Sequence, residues 1–345
     1  MNILVTGAAG YIGSIITEKL IQEGNSVIAL DNLAQGHREA VVPEAMFIQA
    51  ELADSKKLEQ VFRRYQISSV IHLAAESLVG DSMTDPRRHF QNNVIHGVNL
   101  LDIMLKYGVH KIIFSSSAAV YGKPKKMLIE ESDPTMPVNA YGESKLMFER
   151  ILHWYGYAYK LKFIALRYFN AAGASERFGE DHNPETHLIP NILKVALGQH
   201  DYVSIYGTDY PTKDGSCIRD YIHVLDIAKA HLLALKQVDK NEGGKAYNLG
   251  NGKGYSVLEV ISAVRRVTSA DIPVVVQPRR TGDPPVLVAS PKLAKSELGW
   301  HPEYPTLESI VGSAWLWQKE HPCGYRSELA SAKRTAFGVK EINSK

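Results

Sequence analysis

The chain has 345 residues, 45% hydrophobic and 22% charged, which is ordinary globular composition and enough for one large domain or two joined ones. A net charge of +2 gives no electrostatic case for nucleic acid or an acidic lipid surface, and no run approaches the roughly 20 apolar residues of a membrane span. Two cysteines, Cys217 and Cys323, lack metal-ligand spacing, which argues against a disulfide framework or a zinc site; no metal is expected, and a reducing, cytoplasmic location is.

The elements alternate from the start. Asn2 to Thr6 is a short apolar run, as a buried parallel strand requires. Gly7 to Gly10 turns, and a helix follows with Ile12, Ile15, Ile16 and Leu20 on one face until Gly24-Asn25 stops it. This apolar start could mimic a signal peptide, but the glycines and the lack of a basic flank lead to the expectation that it is part of the folded protein. Ser26 to Leu30 is a second buried strand, ending at Asp31, and further strands are predicted at Val70 to Leu73, Lys111 to Ser115 and Phe163 to Arg167. Helices are predicted at about Lys56 to Tyr65, Asn92 to Tyr107 and Tyr141 to Tyr159. This is the pattern of an α/β fold with a doubly wound, Rossmann-type parallel sheet.

The run Gly7-Ala8-Ala9-Gly10-Tyr11-Ile12-Gly13 sits between the first strand and the first helix. There, glycine lets backbone approach a pyrophosphate, and the helix N-terminus offers free N–H groups and a positive dipole end. Asp31 lies 18 residues beyond Gly13, where a carboxylate accepts from adenosine ribose hydroxyls and repels a 2′-phosphate; NAD is therefore expected rather than NADP. Tyr141 and Lys145, four apart, share one helix face. A free tyrosine, with a pKa of about 10, is a poor base, but a neighbouring ammonium favours the phenolate. Ser117 ends the Phe114-Ser115-Ser116-Ser117 run at the carboxyl end of a strand, the edge where ligands bind in such sheets.

After Asn170 the alternation breaks down. Ala171 to His187, rich in Gly, Asn, Pro, Asp and Glu, reads as loop. The expected division is an NAD-binding domain over 1–170, with elements near 220–250 returning to it, and a smaller, discontinuous α/β substrate domain over 171–320. Val224 to Leu235 reads as a returning helix, and Ala246 to Leu249 as a returning strand. Residues 321–345 are small and polar and are expected to form a disordered tail. His72 reads as a hydrogen-bonded core histidine, Trp315 and Trp317 as packing, and Lys123-Pro124-Lys125-Lys126 as a solvated loop.

These blocks, together with Leu166-Arg167-Tyr168-Phe169-Asn170, Arg219-Asp220-Tyr221-Ile222-His223-Val224 and Arg279-Arg280-Thr281-Gly282-Asp283, make the chain from about Met1 to Glu320 resemble the extended short-chain dehydrogenase/reductases. Within that family the last two blocks resemble the epimerases that act at C4 of a UDP-hexose. The resemblance implies Tyr141 as base, Lys145 as its orienting partner and Ser117 on the reacting hydroxyl, with hydride leaving C4 for NAD and returning to the other face of a 4-keto sugar. It implies cofactor contacts from Gly7, Gly10, Tyr11, Ile12, Gly13, Asp31, Asn32, Glu51, Leu52, Leu73, Ala74, Ala75, Ser77, Asn92, Ser115, Tyr141, Lys145 and Phe169. It implies substrate contacts from Ser117, Asn170, His187, Leu188, Ser204, Tyr206, Arg219, Arg280, Asp283 and Leu287, with the arginines on pyrophosphate and Tyr206 stacked on uracil. It also implies a homodimer packed through the 92–107 and 144–159 helices, using Val94, Val98, Leu101, Leu105, Met147, Ile151 and Tyr155.

Several positions depart from the family pattern. Glu51 stands for an aspartate at the adenine, and Ser77 for a lysine near the cofactor, which weakens the expected hold on NAD. Ala119 replaces a threonine that touches the sugar, and His187 an asparagine. Leu287 stands for the tyrosine of strict UDP-glucose/UDP-galactose enzymes and leaves room for an N-acetyl group, so UDP-GlcNAc and UDP-GalNAc are candidate substrates. A 4,6-dehydratase needs an acidic pair after the serine, and Ala118 and Ala119 occupy those places. A UDP-uronic acid or UDP-pentose 4-epimerase, or a decarboxylase, stays open, since Arg280 and His187 can meet a carboxylate. A non-catalytic NAD-binding regulator has no need of the tyrosine and lysine retained here.

Overall fold

The structure, a computed structural model, describes residues 1–240, 243–280 and 283–325. Its strands in chain order are β1 (Asn2–Thr6), β2 (Ser26–Asp31), β3 (Met46–Gln49), β4 (Ser69–His72), β5 (Lys111–Ser117), β6 (Leu128–Ile129), β7 (Lys162–Tyr168), β8 (Asn170–Ala172), β9 (Val203–Tyr206), β10 (Ile218–His223), β11 (Lys245–Leu249), β12 (Gly254–Ser256), β13 (Val274–Gln277) and β14 (Val286–Ala289). Seven of them form one parallel sheet in the order β3-β2-β1-β4-β5-β7-β11. The order reverses between β1 and β4, the crevice where doubly wound sheets bind ligands.

The strands read as continuous apolar runs because both faces of the sheet are covered. Ile3, Val5, Val27, Ile113 and Ile164 face a core shared with the Tyr11–Gln22 and Val224–Gln237 helices. The alternate residues Leu4, Ile28, Val70, Ile112 and Phe163 face a second core with the Ser55–Tyr65, His96–Lys106 and Ala140–Tyr159 helices. Each such side chain buried contributes about 1.5–3 kcal/mol.

The predicted Asn92–Tyr107 helix begins earlier. Asp85 caps a short helix, Pro86–Phe90, which runs through a π-helical turn, Gln91–Ile95, into His96–Lys106. Val94 and Leu101, expected at a subunit interface, are buried in the protein's own core. The helix turns that face to the sheet, and it is Ile95 and Met147 that remain exposed. β3 lies at the sheet edge, so its short Met46-Phe47-Ile48 run, unlike those of the central strands, is only partly buried.

A second sheet runs β12-β10-β14-β6, with β8 also on β10, and β9 pairs β13. β6 comes from the first half of the chain, so both halves contribute to this layer. A third core of Ile192, Leu193, Val260, Val264, Ile310 and Val311 joins the Leu188–Ala196, Val257–Thr268 and Leu307–Glu320 helices. Residues 321–325, the start of the expected tail, are docked instead: Tyr325 donates its hydroxyl to Gly179 O at 3.2 Å and lies 5.3 Å from the Trp317 ring. Residues 326–345 lie outside the described residues.

Candidate active site

The glycine loop is shaped by close approach. Gly7 has φ +72°, and a Cβ there would meet Ala74 N at 2.7 Å; at Gly13 it would meet Gly7 O at 2.0 Å. At Gly10 an added Cβ meets only Gly7 O, at 3.4 Å, so a side chain there would project into open space. That space is a cavity of about 1320 Å³ along the carboxyl ends of the sheet. Single-ligand pockets measure roughly 300–1,000 Å³, so there is room here for more than one ligand. The loop's open Gly10 face fits a dinucleotide pyrophosphate.

Every residue singled out in the sequence lines this one cavity: the cofactor set from Gly7 to Phe169, the Ser117–Tyr141–Lys145 group, and the substrate set from Asn170 to Leu287. Within it Asp31 already has backbone partners. Its carboxylate accepts from Ala9 N at 3.0 Å and Leu33 N at 2.8 Å, tying the glycine loop to the end of β2. Burial raises its pKa, and those backbone bonds oppose the rise.

Asn139 caps the Ala140–Tyr159 helix, accepting from Gly142 N at 2.8 Å, and this starts the helix one residue before Tyr141. Tyr141 and Lys145 therefore occupy its first turns, beneath the cavity. Burial raises the Tyr141 pKa and a hydrogen bond with the Ser117 side chain lowers it. Lys145 Nζ donates to Ser115 O at 2.8 Å and lies 5.8 Å from the centre of the Tyr141 ring. Burial pushes the Lys145 ammonium down to about 7, with Glu149 opposing.

Behind this group lies a buried network that sequence reasoning missed. Arg167 donates to Glu149 through Nε at 2.9 Å and also through Nη2, and to Tyr121 through Nη1 at 2.7 Å. Tyr121 in turn donates to Asn248 Oδ1 at 2.7 Å. A bidentate pair of this kind fixes both partners, and Glu149 sits one turn below Lys145 on the same helix. Asn93, also missed, donates to Ser144 Oγ at 2.9 Å and to Glu76 O at 3.0 Å. Asn92, which lines the cavity, donates to the Glu76 carboxylate at 3.0 Å. His72 is the core histidine expected: its Nδ1 lies 2.7 Å from Thr6 Oγ1, and burial lowers its pKa to about 3.

The opposite wall carries the cations. Arg219 donates to Pro284 O at 2.9 Å, lies 3.6 Å from the Asp283 carboxylate, and pairs in register with Leu287 of β14. Arg280 stacks 3.9 Å over the Tyr206 ring. His187 precedes the Leu188–Ala196 helix, and its Nδ1 lies 2.7 Å from Glu185 Oε1. Burial lowers the His187 pKa, yet Glu185 and Glu180 carry it up to about 9. His182 touches Glu180 on the same wall. Glu180, His182 and Glu185 fell in a segment read only as loop, where composition hides a cluster that exists through folding.

The model of the NAD dependent epimerase/dehydratase family matches residues 3–250. The chain is 52% identical to the UDP-glucose 4-epimerase of Halalkalibacterium halodurans over 95% of this chain and 98% of the relative. Among solved structures, the UDP-glucose 4-epimerase of Brucella ovis in complex with NAD is 42% identical with a TM-score of 0.89, covering 92% of this chain and 98% of that one. The Bifidobacterium longum UDP-glucose 4-epimerase in complex with NAD+ and UDP is 39% identical with a TM-score of 0.90, covering 94% and 100%.

Proposed function

This chain belongs to the NAD dependent epimerase/dehydratase family, and from that premise we infer that it interconverts UDP-glucose and UDP-galactose by NAD-dependent inversion at C4 of the hexose. The observation that carries the reading is that Ser117, Tyr141 and Lys145 line one cavity with the glycine loop and the Arg219–Arg280 wall.

Bound NAD supplies a hydride acceptor and donor. Gly10 and its neighbours take the pyrophosphate, Asp31 and Asn32 the adenosine ribose, and Glu51 and Leu52 the adenine side. Tyr141 removes the proton of the C4 hydroxyl in one half of the reaction and returns it in the other. Ser117 holds that hydroxyl against the phenol. Lys145, fixed by Ser115 O, lowers the Tyr141 pKa when it is charged, and its own depressed pKa makes that charge responsive to what binds beside it. Arg219 and Arg280 receive the UDP diphosphate, and Tyr206 offers a ring to uracil. Arg280 already covers one face of that ring, so the base takes the other or displaces it.

Leu287 faces the same cavity and leaves room for a 2-acetamido group, which extends the substrates to UDP-N-acetylglucosamine and UDP-N-acetylgalactosamine. A panel of UDP-sugars followed by separation of the C4 epimers tests both readings. No conversion of UDP-galactose sinks the first; conversion of UDP-galactose but not of the N-acetyl sugars sinks only the second.

The working form is a cytoplasmic homodimer. No helix among the described residues is long and apolar enough to cross a membrane. Exposed Ile95, Met147 and Trp154 on the two helices expected at the interface support the dimer. Light scattering of a Trp154→Glu variant should show monomer, and a monomeric wild type refutes the assembly. The 1–170 part serves as the cofactor domain, and the substrate domain closes the other side.

A further inference from the structure

Glu180, His182 and His187 each point a donor atom to a common place, with these atoms within 4.8 Å of one another. We propose that these three side chains hold a divalent cation of the zinc class on the wall of the cavity, with one coordination position turned toward the ligand space. This goes beyond the epimerase reading and does not depend on it. The cysteine count pointed away from any metal, but this set needs no cysteine.

Two imidazoles and one carboxylate are a zinc donor set, and three protein ligands leave a fourth tetrahedral position for water or a ligand oxygen. Hard oxygen-seeking cations such as Mg²⁺ are disfavoured by the two nitrogens. With metal–ligand bonds of about 2.0–2.2 Å, tetrahedral donors stand roughly 3.3 Å apart, so the cluster closes by a side-chain adjustment rather than a backbone one. His182 and Glu180 already touch. His187, whose side chain is 44% exposed, has space to tilt about its Nδ1–Glu185 contact.

The surroundings are those of a built site. Glu185, with its side chain 3% exposed, sits 2.7 Å from His187 Nδ1, leaving Nε2 for a metal. A carboxylate behind a ligating imidazole orients the ring and raises its basicity. Glu180 and Glu185 together balance a divalent charge. The backbone beneath is tied down: Asp181 accepts from Tyr325 N at 2.9 Å, and its carbonyl oxygen lies 2.7 Å from His37 Nε2. All three ligands line the cavity between Tyr11 of the glycine loop and the Leu188–Ala196 helix.

The test uses the tag-free full chain, stripped with a chelator and titrated with Co²⁺ and, in competition with a chromogenic indicator, with Zn²⁺. Wild type should bind one equivalent and show the visible d–d bands of a tetrahedral nitrogen–oxygen site. His182→Gln and His187→Gln should each weaken binding by at least roughly 100-fold, and Glu185→Gln by about 10–100-fold. The NAD content and the melting temperature of the metal-free variants should match wild type, which separates ligand loss from misfolding. A wild type without d–d bands or Zn²⁺ retention overturns the proposal whatever the variants do. So does binding that survives both histidine substitutions.

Discussion

The cofactor wall of the cavity rises from consecutive strand–helix junctions of one sheet, whereas the substrate wall gathers Asn170, His187, Tyr206, Arg219, Arg280 and Leu287 from separate segments. On the first wall a residue's position in its own strand decides where it points: Gly7 follows β1, Asp31 ends β2 and Ser117 ends β5. On the second wall, neighbours meet only through pairing across the chain, as Arg219 meets Leu287. A junction site tolerates little change in backbone, while a gathered site divides its work among side chains. Substitutions on the two walls should therefore fail in different ways.

The sharpest break is expected at their meeting point. Tyr141→Phe keeps the ring and removes the proton carrier, so kcat should fall by about 10²–10⁴-fold with NAD content unchanged. A variant that keeps full activity refutes the role. On the cofactor wall, Gly10→Val places a side chain where only Gly7 O is near. It should purify folded, by circular dichroism, but without NAD; an NAD-replete variant would mean the pyrophosphate lies elsewhere. On the substrate wall, Arg280→Met removes a charged donor worth about 1.5–3 kcal/mol. KM for the UDP-sugar should rise roughly 10–100-fold while NAD content holds, and a loss of NAD would erase the distinction between the walls.

The smallest effect concerns pH. Burial pushes Lys145 down to about 7, with Glu149 opposing, against about 10.4 in an unfolded chain. Between those values the unfolded chain binds a proton that the folded chain does not. Stability from this group therefore rises with pH by up to about 1.4 kcal/mol per unit, and the gain is lost as pH falls toward 7. In urea unfolding of the NAD-free protein between about pH 7 and 9, wild type should gain on Lys145→Met as pH rises. A constant difference would show that the ammonium is not desolvated.

The same contrast governs what the sequence made legible. β1, the glycine loop, Asp31 and the Tyr141–Lys145 pair are local patterns: an apolar run, a turn, a spacing of four. Resemblance carried the reading to Arg219, Arg280 and Leu287, which no local pattern identifies. β3 escaped because its apolar run, Met46-Phe47-Ile48, is only three residues long and, at the sheet edge, none of them is fully buried. β6 escaped because two residues make no period. The Arg167–Glu149 pair escaped because its partners sit on separate elements that only folding brings together, and the Glu180–His182–His187 cluster because it depends on the path of a single loop, which composition does not fix. Val94 and Leu101 show the converse error, since helical spacing reveals a buried face but not what buries it.

The central claim is reversible oxidation at one carbon of a bound UDP-hexose, and UDP-galactose carrying deuterium at C4 tests it most directly. The account predicts that the UDP-glucose formed keeps the deuterium at C4. Release of the label to solvent, or formation of UDP-glucose at an undiminished rate by Tyr141→Phe from the same substrate, would contradict it.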